Sequence, residues 1–152
     1  MAHVAAPVTV ITTWCDDEPH GTTVSAFSSL SVTPPMVIVS LDNRGTMVER
    51  LRASGVMGIN VLAPDQSDLA IRFATKVPDR FAGVDWELDL GAPRLSRITS
   101  WLYCDKLQFE PGGDHTVVLG SVARTEVLQD DALIYFRRTF GSAMRGAHPR
   151  SG

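Results

Sequence analysis

One histidine and a run of hydroxyl side chains are the residues of this sequence best suited to chemistry. The run is HGTTVSAFSSLSVTPPMVIVSL, His20 to Leu41. Its first half is small and hydroxyl-rich, so its backbone can approach a flat ligand closely. In an extended strand Thr23 and Ser25 share one face, and Val24 and Ala26 share the other. A hydroxyl face with exposed backbone at a strand end could hydrogen-bond the polar edge of a ring. An ordinary strand with Thr and Ser on its outer face has the same pattern. Asn43, Arg44, Gly45 and Thr46 stand before a helix. Unsatisfied N–H groups there suit a phosphate, and Arg44 adds charge. A plain N-cap turn is the alternative. Asn60, inside VMGINVL, is an amide in a mostly apolar strand and needs a partner, either a ligand or neighbouring backbone. His115 in GGDHTVV lies at the mouth of a hairpin, with Asp114 pointing the other way in a regular strand. Alone, a turn histidine is more often solvated than functional.

Other chemistries lack their signatures. There is no GxGxxG after a strand, no phosphate-binding loop ending in GKS or GKT, and no HExxH. No cluster has metal-ligand spacing. Ser25, Ser28 and Ser29 lie in no GxSxG elbow. His3 and His148 lie near the chain ends, where order is weakest. Cys15 and Cys104 are too far apart to make a disulfide framework or a metal site. They read as two thiols that pack or sit at a surface, as in a reducing cytoplasm.

The elements that would position these residues are mostly strands. Val8 to Thr13 (VTVITT) favours a strand. A turn over Asp16 to Pro19 leads to a second strand, Gly21 to Phe27, so these two form a hairpin. Ser28 to Pro35 reads as a loop, and Met36 to Leu41 as a buried strand behind two prolines. A short helix over Thr46 to Ala53 has Met47, Val48 and Leu51 on one face, and Gly55 ends it. Val56 to Leu62 is a strand. Asp65, with Asp68 three positions on, caps a second helix holding Leu69, Ile71 and Phe73. Residues 74–94 read as a long irregular loop. Trp101 to Phe109 and Thr116 to Leu128 are strands joined by Glu110 to His115, with Gly120 a bulge or corner. Asp130 and Asp131 make a turn, Leu133 to Phe136 is a last strand, and Ala147 to Gly152 is frayed. Adjacent antiparallel strands with few helices imply a mainly β fold, a closed or nearly closed barrel. The crossover helices of a doubly wound sheet are missing.

Composition agrees. A chain of 152 residues suits one domain. A net charge of −3 with scattered basic residues gives no broad nucleic-acid footprint. The start, MAHVAAPVTVITT, lacks the basic and apolar regions of a signal peptide. No stretch reaches the length of a membrane span.

Several stretches in register resemble the short flavin reductase family, split-barrel enzymes that supply reduced flavin to two-component monooxygenases. They are VTVITT (Val8 to Thr13), HGTTVSAFSSLSVTPPMVIVSL (His20 to Leu41), LRASGVMGINVLAPDQSDLAIRFA (Leu51 to Ala74), DRFAGVDW (Asp79 to Trp86), GAPRL (Gly91 to Leu95) and GDHTVVLGSV (Gly113 to Val122). The resemblance implies a Greek-key-like split β-barrel with a few short helices, as one domain over residues 1–152. It implies transfer of a hydride from NADH or NADPH to FMN or FAD. Thr23, Val24, Ser25 and Ala26 match the segment lining the flavin ring. Ser40, Leu41 and Asp42 match the segment along the ribityl chain, and Thr46 the phosphate-side hydroxyl. Asn60, Val61 and Leu62 match a strand beside the flavin, and Arg80 and Phe81 a loop near the cofactor. His115 matches the residue associated with nicotinamide binding and hydride transfer. The resemblance further implies a cytoplasmic homodimer, with a flavin-dependent monooxygenase reached through diffusible reduced flavin, and no nucleic-acid or membrane partner.

Two departures stand out. Relatives usually carry a helix before the first strand, but only MAHVAAP precedes VTVITT here, so that helix is expected to be absent or cut. The late motif LIYFRRTFG (Leu133 to Gly141) has Arg138 where the family pattern has glycine. These departures leave a flavin carrier or sensor open as the alternative to the reductase. A split-barrel flavin oxidase of the pyridoxamine-phosphate type is a second alternative, and the GDH signature speaks against it.

Overall fold

Val8 to Thr13 is β-branched at every position, which favours extended backbone, and it becomes the centre of the fold. The protein is described here by a computed structural model covering residues 3–143. His148 and the frayed stretch expected over Ala147–Gly152 lie outside the described residues. The elements run β1 (Ala6–Pro7), β2 (Thr9–Cys15), β3 (Glu18–Val24), β4 (Phe27–Ser31), β5 (Met36–Asp42), α1 (Met47–Ser54), β6 (Met57–Val61) and α2 (Ser67–Ala74). They continue with β7 (Trp86–Asp89), β8 (Ala92–Leu95), β9 (Ser100–Gly112), β10 (His115–Val127), β11 (Leu133–Phe136) and β12 (Thr139–Ser142).

Seven strands form one antiparallel sheet in the order β3-β2-β6-β9-β10-β5-β4. The two edges, β3 and β4, are neighbours in sequence, with only Ser25 and Ala26 between them. Laid flat, six gaps of about 4.8 Å would part the edges by about 29 Å. The three Cα steps from Val24 to Phe27 reach only about 11 Å. The sheet must therefore curl until its edges approach at that corner. No hydrogen-bonded ladder joins β3 to β4 among the described residues. The expectation of a closed or nearly closed barrel thus narrows to a mainly β, strongly curled sheet that is not closed by hydrogen bonds among the described residues, with two short helices.

Strand alternation divides the core in two. Val10 and Ile11, adjacent in β2, enter different clusters. The inner cluster draws Ile11, Val24, Val39, Ile59 and Val118 from five strands and is plugged by Met47 and Leu51 of α1. The outer one joins Val10, Leu62, Leu95 and Trp101 to Ala70 and Phe73 of α2. Each fully buried large side chain contributes roughly 1.5–3 kcal/mol. Cys104 lies in the inner cluster, where burial pushes its thiol up to about 12, and Cys15 is half-buried; both are free.

Several boundaries differ from expectation. The first hairpin turns on Asp16 and Asp17 alone, both at positive φ (54° and 58°), so Glu18 and Pro19 already belong to β3. Two such residues give the turn twist that matches paired strands. The first half of the expected loop Ser28 to Pro35 belongs to β4, held by its register with β5. Helix α2 begins one residue past Gln66, not at an Asp65 cap. Gln66 accepts from the N–H of Ala63, while Asp65 pairs with Arg97. The irregular stretch 74–94 contains β7 and most of its pairing with β8, turning at Leu90 and Gly91. Gly120 is not the bulge, which falls at Val122. A Cβ at Gly120 would stand 2.9 Å from Cys104 Sγ, so glycine there permits close packing. A further strand, β12, follows β11.

Candidate functional site

Where β3 leaves the sheet, the chain opens a cleft of about 900 Å³. Its borders are Glu18 to Ala26, the end of β5, the start of α1, the segment after α2, Trp86 and His115. β2 stops pairing with β3 at Val24, and β4 starts pairing with β5 at Phe27. Between them, no backbone hydrogen bond among the described residues takes the N–H of Ser25 or Ala26. Both residues are exposed and line the cleft. Two peptide donors without a backbone acceptor therefore lie in the segment that lines the cleft. Val24 and Leu41 bury their side chains in the inner core and offer the cleft little more than backbone. The Thr23 hydroxyl, expected to face a ligand, instead donates to the Ala70 carbonyl of α2 at 2.7 Å.

A second corner forms where β5 meets α1 and β10. His115 lies opposite Asp42 in the β10–β5 register. Asp42 accepts from Arg44 at Nη2 (2.6 Å), at Nε (3.1 Å) and at its backbone N–H (2.9 Å). The Arg44 guanidinium, then its N–H, holds the Asp42 carboxyl well below the usual carboxylate range. Arg44 is therefore committed to Asp42 and does not line the cleft. Thr46 stands at the N-cap of α1, but its side chain makes no capping bond. Its hydroxyl and the first turn of α1 border the cleft. Asp114 does not turn away from His115: its Oδ1 accepts from His115 Nδ1 at 2.7 Å. That bond leaves Nε2 as the ring nitrogen for a ligand. Asn43 braces the corner by donating its N–H to Asp114 O (3.0 Å) and accepting from Thr116 Oγ1 (2.6 Å).

The third wall is the segment after α2. Arg80 donates from Nη1 to Gly21 O at 2.8 Å and from Nε to Thr75 O at 3.0 Å. Phe81 is buried edge-on against Phe73 (4.9 Å) and Trp86 (5.5 Å). A Cβ on Gly21 would stand 2.9 Å from Phe73 and 3.1 Å from Phe81. Glycine at this position lets the aromatic cluster close on β3.

The structure thus gathers Thr23, Val24, Ser25, Ala26, Ser40, Leu41, Asp42, Thr46, Arg80, Phe81 and His115 around one cleft. Asn60, Val61 and Leu62, expected in a strand beside the flavin, are not among the residues that line it. Asn60 is wholly buried, with Nδ2 donating to Val10 O (3.1 Å) and Oδ1 accepting from Leu95 N (2.8 Å). Its amide joins β2, β6 and β8, and Leu62 packs in the outer core. Sequence reasoning missed Glu18, His20, Asp79 and Trp86 as cleft residues. His20 opens the hydroxyl run and Trp86 closes DRFAGVDW, so proximity to those stretches was the available signal. His20 Nε2 donates to Cys15 O at 3.0 Å.

Among the described residues no helix is long and apolar enough to cross a membrane. The sequence profile described as "Flavin reductase like domain" matches residues 1–144. The chain is 35% identical over 134 residues to the reductase subunit HsaB of a flavin-dependent monooxygenase from Mycobacterium tuberculosis, covering 86% of this chain and 72% of that protein. It is 35% identical over 147 residues to an NADH-dependent flavin reductase from a Rhodococcus species, covering 93% and 82%. The fold is similar to an NADH:FAD oxidoreductase from Streptomyces globisporus solved with NAD and FAD fragments. There the TM-score is 0.90 at 30% identity, covering 97% of this chain and 90% of that one. A cleft walled by a strand edge, a helix start and a GDH hairpin thus sits in a chain matched along nearly its whole length, and the chain belongs to the flavin reductase like domain family.

Proposed function

We propose that this chain is an NAD(P)H:flavin oxidoreductase, passing a hydride from NADH or NADPH to FMN or FAD and supplying reduced flavin to a partner monooxygenase. The observation that carries this reading is the pair of N–H groups without a backbone acceptor at Ser25 and Ala26, in a segment that lines the same cleft as His115. The cleft volume suits a flat ligand of this size, and its donors suit an electron-rich ring edge. The flavin and nicotinamide supply the hydride chemistry themselves when bound.

The chain's residues then bind and orient. Ser25 and Ala26 hold the polar ring edge by backbone N–H, with Thr23 and Val24 as its support. Ser40, Leu41 and Asp42 border the ribityl side. The Thr46 hydroxyl and the N-terminal turn of α1 face a phosphate. Phe81 and Trp86 exclude water from one side. His115, fixed through Nδ1 by Asp114, presents Nε2 to the nicotinamide amide. Relatives named as monooxygenase reductase subunits support the partner assignment.

Three further assignments belong to this proposal. The curled sheet is the split-barrel form, folded as one domain. Two copies associate, a reading supported by exposed Leu30 and Val32 at and beside the free edge of β4. The location is cytoplasmic, in keeping with two free cysteines. The test is anaerobic mixing of purified protein with excess FMN and then NADH. Catalytic loss of the visible flavin absorbance over many turnovers is expected. Flavin binding without bleaching would overturn the reductase in favour of a carrier.

A further inference from the structure

Helix α2 ends at Ala74, and Arg72 lies half-buried in its last turn. Its guanidinium takes three backbone carbonyls of one short segment: Nε donates to Arg80 O at 2.6 Å, and Nη2 to Ala82 O at 2.6 Å and Asp79 O at 3.1 Å. The same turn is closed from within, where Asp79 Oδ1 accepts from the N–H groups of Phe81 (2.9 Å) and Ala82 (3.2 Å). Thr23 Oγ1 ties α2 itself to β3 through Ala70 O. Arg72 is thus the fork by which α2 shapes the cleft wall.

What that wall presents is Arg80. It is the one Lys or Arg among the described residues lining the cleft, and no ion pair among the described residues includes it. Its bonds to Gly21 O and Thr75 O leave guanidinium donors over. Gly21 lies five residues before Ala26, a span of up to about 16 Å in extended chain. The free charge is therefore held against the middle of β3 rather than beside the N–H pair. It suits the anionic part of a second nucleotide better than a group beside Ser25 and Ala26.

We propose that Arg72 is a positioning residue for the reductase. It acts through the 79–82 turn to hold Arg80 where its guanidinium meets the pyrophosphate of the reduced nicotinamide dinucleotide. This rests on the reading of the cleft as a flavin reductase site. A lysine at position 72 is a single point charge without the fork, so it cannot serve three carbonyls in fixed directions.

Arg72→Ala and Arg72→Lys test the assignment. Trypsin digestion of the ligand-free protein is read by mass spectrometry at the Lys76–Val77 and Arg80–Phe81 bonds. Cleavage there is expected to rise roughly tenfold in Arg72→Ala and less in Arg72→Lys, with other sites unaffected. In turnover at saturating FMN, KM for NADH is expected to rise roughly tenfold in Arg72→Ala, with kcat within about threefold of wild type and Arg72→Lys between the two. Unchanged digestion and unchanged KM in Arg72→Ala would overturn the positioning role. So would faster digestion at every site with kcat falling alongside KM, the mark of a merely structural residue. Wild-type protein that bleaches no flavin would overturn the reductase reading, a failure separate from the digestion result.

Discussion

Asp42 ends β5 at the corner where the cleft meets α1, and its charge is secured locally. Three donors from Arg44 reach its carboxylate, and they hold its pKa far below that of a free aspartate. The sign of the consequence follows from linkage. A group whose folded pKa is depressed contributes stability that is fully present above the unfolded value of about 3.9. That contribution fades as the pH falls from the unfolded value through the lower folded one. The Asp42–Arg44 turn should therefore remain ion-paired through mild acid. In a carbon-detected NMR titration, the Asp42 carboxyl is expected to keep its ionised shift at pH values where exposed aspartates have protonated, and a midpoint near about 4 would contradict it. The same corner shows what a residue-level reading of sequence can reach. Arg44 reads as a charge for a ligand because the run NRGT precedes a helix. The structure commits that charge to a neighbour two residues away. Asn60 is similar: a lone amide in an apolar strand demands a partner, but its partners, Val10, Thr12 and Leu95, come from distant parts of the chain.

At the scale of elements, the β11–β12 hairpin explains the departure at Arg138. Its two turn residues, Arg137 and Arg138, have φ of 52° and 63°, the left-handed region that glycine occupies without strain. Arginine keeps the backbone path that glycine would take, at a cost of roughly 1 kcal/mol. Arg138→Gly is expected to raise stability by roughly 0.5–1 kcal/mol, or about 2 °C in Tm by calorimetry. A fall in Tm would show that the arginine is held by compensating contacts. Elements with one dominant signal were legible in the sequence: the β-branched β2, the apolar β5, the α1 face of Met47 and Leu51, and the long β9–β10 hairpin. Those built by pairing against propensity were not. β4 contains three serines and leads into two prolines, yet its register with β5 makes it a strand. β8 includes Pro93, and only its antiparallel pairing with β7 reveals a hairpin inside an apparent loop. Arg72 looks like a solvated helix residue until the turn folds back beneath it.

Across the whole molecule, the cleft's charge favours one donor. Among the described residues lining it, Arg80 is the one Lys or Arg, against the carboxylates of Glu18, Asp42 and Asp79. The Asp42 charge is answered by Arg44, and Asp79 is engaged by backbone N–H groups. NADPH would bring a further phosphate, which is ordinarily met by an additional arginine. NADH is therefore expected to exceed NADPH in kcat/KM by roughly tenfold or more, about 1.4 kcal/mol, in parallel steady-state assays with FMN. Equal efficiencies would mean that a cation outside these residues meets the phosphate. The cleft itself was legible where its residues are contiguous, in the hydroxyl run, the turn before α1 and the GDH hairpin. Its far wall was legible only through the resemblance of DRFAGVDW, which named Arg80 and Phe81 but not Trp86, because these residues reach it through packing on α2 and Gly21 rather than through any local pattern. The central claim is that hydride passes in this cleft with His115 aligning the nicotinamide. The most direct test is anaerobic stopped-flow reduction of bound flavin by NADH in His115→Ala, with flavin affinity measured on the same sample. Flavin affinity is expected to stay within about twofold while the reduction rate falls roughly a hundredfold. An undiminished rate at unchanged affinity would contradict the account.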